Sequence, residues 1–293
     1  MVTPGYLARH YAGRKGGRDP ALIDIAQDHA LKILDDVGAF ELGAALKGGT
    51  AIRKFRAGNR GRFSTDLDFC AEDPEVARLI LETLDGAELS GFQFAVEVVR
   101  ESRQARLIIQ NPSLGAPPVV PAKIDISPRS PWLPTESLAP IQLPVHAVYG
   151  FAIPAIPVMC VEETLAEKLA RYRRHPLVRD LYDLAWFSTQ VFDEPLVRRL
   201  LVLKVWQDVV DDRIGEAPFD PSAIVAGRPS EAFAEEDIGL LTQPIDVPGW
   251  ILQLRSRYAF VTDLDAEEKA IARCSAGDRY RVNEMIERLR PPA

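Results

Sequence analysis

A chain of 293 residues, 47% hydrophobic and 26% charged, is composed like a soluble globular protein of one large or two modest domains, which excludes a fibre or a disordered polymer. No apolar run reaches the ~18–20 residues of a membrane span, and the polar, Gly-rich stretch from Met1 to Arg18 lacks the apolar core of a signal peptide, so a cytoplasmic location is expected. The net charge of −7 argues against a surface made for indiscriminate nucleic-acid binding but leaves room for a local basic site.

Along the chain, Asp19-Pro20 reads as a helix start, with Asp19 as N-cap and proline in the first turn. Leu22, Ile23, Ala26, Ala30 and Ile33 follow at helical spacing, and the helix is expected to end near Gly38. Phe40 to Lys47 leads into Gly48-Gly49-Thr50, a further helix from Ala51 to about Arg56, and a Gly- and Arg-rich loop to Arg62. Asp66 to Cys70 alternates charged and apolar residues as a half-buried strand does. Pro74 to Asp85 reads as a helix. Phe92 to Arg100, Ala105 to Gln110 and Val119 to Ile126 read as strands, the last with Pro121 marking an edge or bulge.

The Pro-rich stretch Ser127 to Pro144 reads as a surface connection. Val158 to Val161 reads as a short strand. Beyond it the pattern is helical, at Glu162 to Arg174, Val178 to Phe187, Pro195 to Val209 and Asp265 to Arg290, whereas Gly215 to Gly249 has no clear order. The expected fold class is α+β: a mixed sheet with flanking helices over residues 1–155, then a mainly helical half over 156–293. Cys70, Cys160 and Cys274 form no CxxC pair or zinc spacing and read as reduced, packed thiols.

The chemistry starts at Asp66 and Asp68. Two residues apart on a strand, they point to one face, and hard oxygen donors of this kind suit Mg²⁺ or Mn²⁺. Taken alone, such a pair is more often a solvated turn or edge. Gly48-Gly49 lets phosphate oxygens approach the backbone ahead of a helix N-terminus, with Thr50 adding a hydroxyl; the alternative is a tight turn without a ligand. Asp125 stands on an otherwise apolar strand as a third metal carboxylate or as a strand residue paired with Lys123 or an arginine. Lys168 and Arg171 share one helix face, as do Asp180 and Asp183. Arg53, Lys54, Arg56, Arg60 and Arg62 precede the first acidic motif, and Lys168, Arg171, Arg173, Arg174, His175 and Arg179 the last. They read as phosphate-handling clusters or as solvated helix faces.

Lys47-Gly48-Gly49-Thr50-Ala51, Arg62-Phe63-Ser64-Thr65-Asp66-Leu67-Asp68-Phe69, Glu167-Lys168-Leu169-Ala170 and Arg179-Asp180-Leu181-Tyr182-Asp183-Leu184 together resemble the motifs of AbiEii/AbiGii-type toxin nucleotidyltransferases of type IV toxin–antitoxin systems, the group that includes the mycobacterial MenT toxins. The resemblance spans about residues 40 to 190. It implies a DNA-polymerase-β-type nucleotidyltransferase core. It places Gly48, Gly49, Thr50 and Ser64 beside a nucleoside triphosphate, and divalent cations on Asp66, Asp68 and, by a shorter match, Asp125. Lys168, with Arg171, falls on the triphosphate, and Asp183 braces Lys168 or touches the nucleotide. The wider superfamily usually has GS where this chain has Gly49-Thr50, with a shorter loop before the carboxylates. The implied reaction moves a nucleoside monophosphate from an NTP to RNA, with the tRNA 3′ end as leading acceptor and translation and growth as targets, opposed by a separately encoded DNA-binding antitoxin. The alternatives are a protein or small-molecule acceptor, or an inactive nucleotide-binding regulator.

Overall fold

The computed structural model describes residues 1–13, 16–100, 103–115, 119–226, 228–233, 241 and 243–289. The chain divides into two compact units, one made of the described residues of Met1–Pro131 and Thr135–Met159 with Leu241 and Gln243, the other of Trp132–Pro134 and the described residues of Cys160–Ile238 and Pro244–Ala293.

The first unit is built on an eight-stranded mixed sheet in the order β3-β4-β5-β6-β2-β1-β8-β7. The strands are β1 (Ala45–Lys47), β2 (Asp66–Cys70), β3 (Glu88–Leu89), β4 (Phe92–Arg100), β5 (Gln104–Gln110), β6 (Val119–Ser127), β7 (Glu136–Leu138) and β8 (Ile156–Val158). β2 runs parallel to β6 and β1 parallel to β8, while the other neighbours are antiparallel. The strands expected from Asp66 to Ile126 are present; the one expected at Val158 to Val161 lies earlier, at Ile156–Val158, because Val161 already opens a helix, and β1, β3 and β7 are strands beyond those expected. Alternation sets the faces: Leu67 and Phe69 of β2 and Val120, Ala122, Ile124 and Ile126 of β6 enter the main core, leaving Asp66, Asp68, Lys123 and Asp125 on the other face.

Helices α1 (Pro4–His10), α2 (Arg18–Asp36) and α4 (Pro74–Leu84) contribute to that core. Asp73 caps α4, accepting from the Glu75 amide at 2.8 Å, with Pro74 in the first turn where its missing N–H costs nothing. α2 starts one residue before the expected cap. Asp19 lies inside its first turn and pairs with Arg18 at 2.9 Å instead of capping. Pro121 is not on an edge strand, because β6 lies between β5 and β2. The Lys123 amide bonds toward β2, at Thr65 O (3.3 Å). Pro121, two residues earlier, faces the same side before β2 begins, so no ladder donor is lost there.

The second unit is helical: α5 (Val161–Arg174), α6 (Val178–Phe187), α7 (Glu194–Trp206), α8 (Ser222–Ala226), α9 (Val247–Arg257), α10 (Ala266–Ile271) and α11 (Arg279–Leu289). The single helix expected from Asp265 to Arg290 is broken, and residue 290 lies outside the described residues. α10 opens on a reciprocal cap between Asp265 and Glu268. It ends at Ile271; Cys274 then turns left-handed (φ 54°), and Ser275 caps a short 3₁₀ turn ahead of α11.

Candidate active site

The chain leaves β1 at Lys47 and turns at Gly48 (φ +76°) straight into α3 (Gly48–Ala51), which runs on as a π-helical turn from Ile52 to Ala57. The carboxylate of Asp68 occupies the space a Cβ on Gly48 would fill. At Gly49 a Cβ would lie 2.8 Å from the Arg62 Nη2 and 2.9 Å from the Ser64 hydroxyl. Gly48 is therefore required both by close approach and by its left-handed backbone, while a side chain at Gly49 would displace Arg62 and Ser64. Thr50 is fully buried and its hydroxyl donates to the Asp66 carbonyl. The donor expected to face a ligand is thus used to brace the strand bearing Asp66.

Register brings the carboxylates together by residue pair. Lys47 stands opposite Asp68 on one side of β2, and Asp125 stands directly beside Asp68 on the other. Asp66 and Asp68 are partly exposed on that face. The Asp125 Oδ2 accepts from Lys123 Nζ (3.1 Å) and from Gln104 Nε2 (3.1 Å). Among the described residues, no three Asp, Glu, His or Cys side chains gather into a ligand set. Asp125 thus shares the face and the register of Asp66 and Asp68 but points its carboxylate at Lys123, the pairing weighed as its alternative. The donor chemistry fits a divalent cation at Asp66 and Asp68: hard oxygens on a bare glycine turn, with room kept for Asp68 by Gly48.

Two residues of α2 with no place in the sequence motifs support this turn, Gln27 directly and Asp24 through Lys54. Gln27 is fully buried and its amide donates to the carbonyls of Ser64 (3.0 Å) and Asp66 (3.4 Å). Asp24 takes Lys54 Nζ (3.2 Å), Arg53 (3.6 Å) and His10 Nε2 (2.7 Å), while Asp28 takes Lys54 (2.7 Å) and the Tyr149 hydroxyl (2.7 Å). Burial alone would raise both carboxyls. Lys54, with Arg53 and His10 at Asp24 and His146 at Asp28, holds them below the ordinary range instead. The signal was present in the sequence: Asp24, Gln27 and Asp28 place polar groups at i, i+3 and i+4, on one helix face beside Ala21 and Leu31.

This network corrects part of the arginine reading. Arg53 and Lys54 are 1% and 5% exposed and serve internal carboxylates and the Gly58 and Gly61 carbonyls. Arg56 bonds Glu136 and the Met159 carbonyl. None of these three is a free surface cation for RNA. Arg60 is exposed.

In the second unit, α5 and α6 bring Lys168, Asp180 and Asp183 together. Lys168 Nζ lies 3.2 Å from Asp180 and 2.7 Å from Asp183, with the two carboxylates 0% and 2% exposed. Arg171 Nε reaches Asp180 at 3.2 Å while its side chain stays 45% exposed. Arg174 pairs with Asp208 at 3.0 Å.

A glycine turn against paired carboxylates on a mixed sheet, followed by a helical unit carrying a buried Lys–Asp pair, is the build of a nucleotidyltransferase. The family model described as "Nucleotidyl transferase AbiEii toxin, Type IV TA system" matches residues 32–266, and the chain belongs to this family. It is similar to the solved structure of MenT4, nucleotidyltransferase toxin Rv2826c from Mycobacterium tuberculosis H37Rv, at 46% identity and a TM-score of 0.95, over 99% of this chain and 100% of that one. A putative nucleotidyltransferase from H. pylori is 16% identical with a TM-score of 0.45, over 80% of this chain and 94% of that one. No curated protein sequence matches. The chain is a nucleotidyltransferase toxin of a type IV toxin–antitoxin system, with an antitoxin counterpart and an NTP substrate. Among the described residues, no helix is long and apolar enough to cross a membrane.

Proposed function

We propose that the chain moves a nucleoside monophosphate from an NTP to a hydroxyl of an RNA acceptor in the cytoplasm, forming a new phosphodiester and releasing pyrophosphate, the tRNA 3′ end first among candidates, and so arrests translation and growth until a separately encoded DNA-binding antitoxin counters it. The observation that carries this reading is the fit of the Asp68 carboxylate against bare Gly48, beside Asp66 and in register with Asp125. Asp66 and Asp68 would hold Mg²⁺ or Mn²⁺. Such a cation, when bound, neutralises phosphoryl charge and acidifies the attacking hydroxyl.

Gly48 and Gly49 offer close backbone approach to the triphosphate, and Ser64 offers it a hydroxyl. Thr50 acts through the Asp66 backbone. Asp125 is assigned the acceptor proton. Lys168 and Arg171 are assigned to the triphosphate, with Asp183 bracing Lys168 at 2.7 Å. Catalysis in this reading is mainly positioning and electrostatics.

The test is incubation with each labelled NTP, Mg²⁺ and total RNA, read on a denaturing gel. Label at tRNA size, lost on chelation, is expected. Label on protein or on a small molecule instead would overturn the RNA acceptor.

A further inference from the structure

We infer that Gln27 is a positioning residue of the nucleotidyl-transfer site: its side-chain amide stands in for a missing stretch of sheet ladder and fixes the backbone that aims Ser64 and Asp66. The inference rests on the reading of Asp66 as a metal-holding carboxylate.

The need arises from the topology. β1 pairs with β2 only from Lys47↔Asp68 to Ala45↔Cys70. At Gly48 the chain turns away into α3, so the first residues of β2 have no ladder partner on that side. Yet this is where the strand presents Asp66, and where the segment entering it presents Ser64. A buried carbonyl without a donor is costly.

Two side chains fill the gap. Thr50 donates to the Asp66 carbonyl, and the Gln27 amide donates to Ser64 (3.0 Å) and Asp66 (3.4 Å) from α2. Gln27 is 0% exposed, and its Oε1 has no hydrogen-bond partner among the described residues. An apolar side chain of the same length would fill the space without stranding that oxygen. What the amide supplies is its pair of N–H donors, and both carbonyls they reach belong to residues assigned to the site. Turning the amide over would set its oxygen against both carbonyls, so the geometry admits one orientation.

Gln27→Met keeps the length and removes the donors. The expected result is a kcat lower by roughly 10- to 100-fold, as misplacement by a fraction of an ångström to about 1 Å produces. NTP affinity, measured by equilibrium binding, should change less than threefold. Ile25→Val on the same helix serves as a control for reduced core packing, because Ile25 is fully buried and touches no site residue by hydrogen bond. It is expected to lower the melting temperature while keeping kcat.

If Gln27→Met does not fold, Gln27→Asn retains a buried amide but withdraws it by one methylene, and the same fall in kcat is expected. A Gln27 variant that keeps wild-type kcat, or loses no more than Ile25→Val does, overturns the inference. Asp66→Ala is run alongside. If it is inactive while the Gln27 variants are fully active, only the role of Gln27 fails. If Asp66→Ala is itself active, the underlying reading of the site fails.

Discussion

The Asp68 carboxylate sits where a side chain on Gly48 would begin. Gly48→Ala therefore combines a left-handed backbone, about 1–2 kcal/mol for a residue with a Cβ, with displacement of an assigned metal ligand. Gly86 has nearly the same φ (+77°) but nothing within 4 Å of its Cβ position, so Gly86→Ala carries the backbone cost alone. Thermal melts should show Gly48→Ala to be the less stable of the two. Transfer assays should find it inactive beside an active Gly86→Ala. Equal activity in both would mean that Asp68 does not need its place.

Asp66→Ala is expected to abolish transfer and growth inhibition while the protein stays folded, since the side chain is partly exposed and outside the core. Circular dichroism with a labelled-NTP assay checks both halves. Full transfer by the folded variant would exclude the site.

Lys168→Ala withdraws an ammonium from two buried carboxylates, at 3.2 and 2.7 Å. Removing one partner of such a group costs about 3–5 kcal/mol, so a large drop in denaturation midpoint should accompany the loss of NTP use. Lys168→Arg should recover part of the stability and less of the activity, because a planar guanidinium cannot reproduce the ammonium's point charge. Unchanged NTP kinetics in a folded Lys168→Ala would remove this residue from the mechanism.

Acid should weaken the first unit in two stages. Burial lowers the His29 pKa below 6.5, so below that pH the unfolded chain takes up a proton that the folded one refuses, and stability falls. Asp24 and Asp28 are also held below their ordinary 3.8 in the fold, mainly by Lys54 against the opposing effect of burial. Their contribution is intact above that value and declines progressively as pH falls below it toward their lower folded-state range. Urea midpoints between pH 7.5 and 3 would trace both stages. His29→Phe should flatten the first and leave the second.

If RNA is the acceptor, Arg60 and Arg171, both exposed and the second also paired with Asp180, are the candidates to meet its phosphates. Replacing both with Gln should flatten the dependence of log affinity on log salt by roughly 0.7–0.9 for each phosphate no longer neutralised. Arg53→Gln should instead destabilise the fold, because Arg53 is buried beside Asp24. An unchanged slope in the Arg60/Arg171 variant would rule these two out as RNA-binding residues.

The sequence carried the motif residues and most strands because both follow short-range rules: period-two alternation gives β2 and β6, and a glycine pair before a helix gives the turn. What it could not carry depends on pairing at long range. That Asp125 stands beside Asp68 is a matter of parallel register between strands over fifty residues apart. Lys54 reads as a surface cation until α2 supplies Asp24 and Asp28 to bury it. The C-terminal helical pattern runs on past Ile271 because periodicity does not register a single left-handed residue at Cys274.

The position of β2 within its sheet has a consequence for how the toxin can be restrained. Four strands lie beyond it on the β6 side and three on the β1 side. Edge strands and loops open by fraying, but a central strand opens only when the sheet around it does. The amides of Leu67 and Phe69 should therefore be among the slowest in the chain to exchange with deuterium, at a free energy close to that of global unfolding. The stretch of β2 paired on both sides, from Asp68 to Cys70, stays assembled as long as the first unit is folded, so local melting does not displace Asp68. A restraint that acts at the face bearing Asp66 and Asp68 has to mask it or alter it covalently.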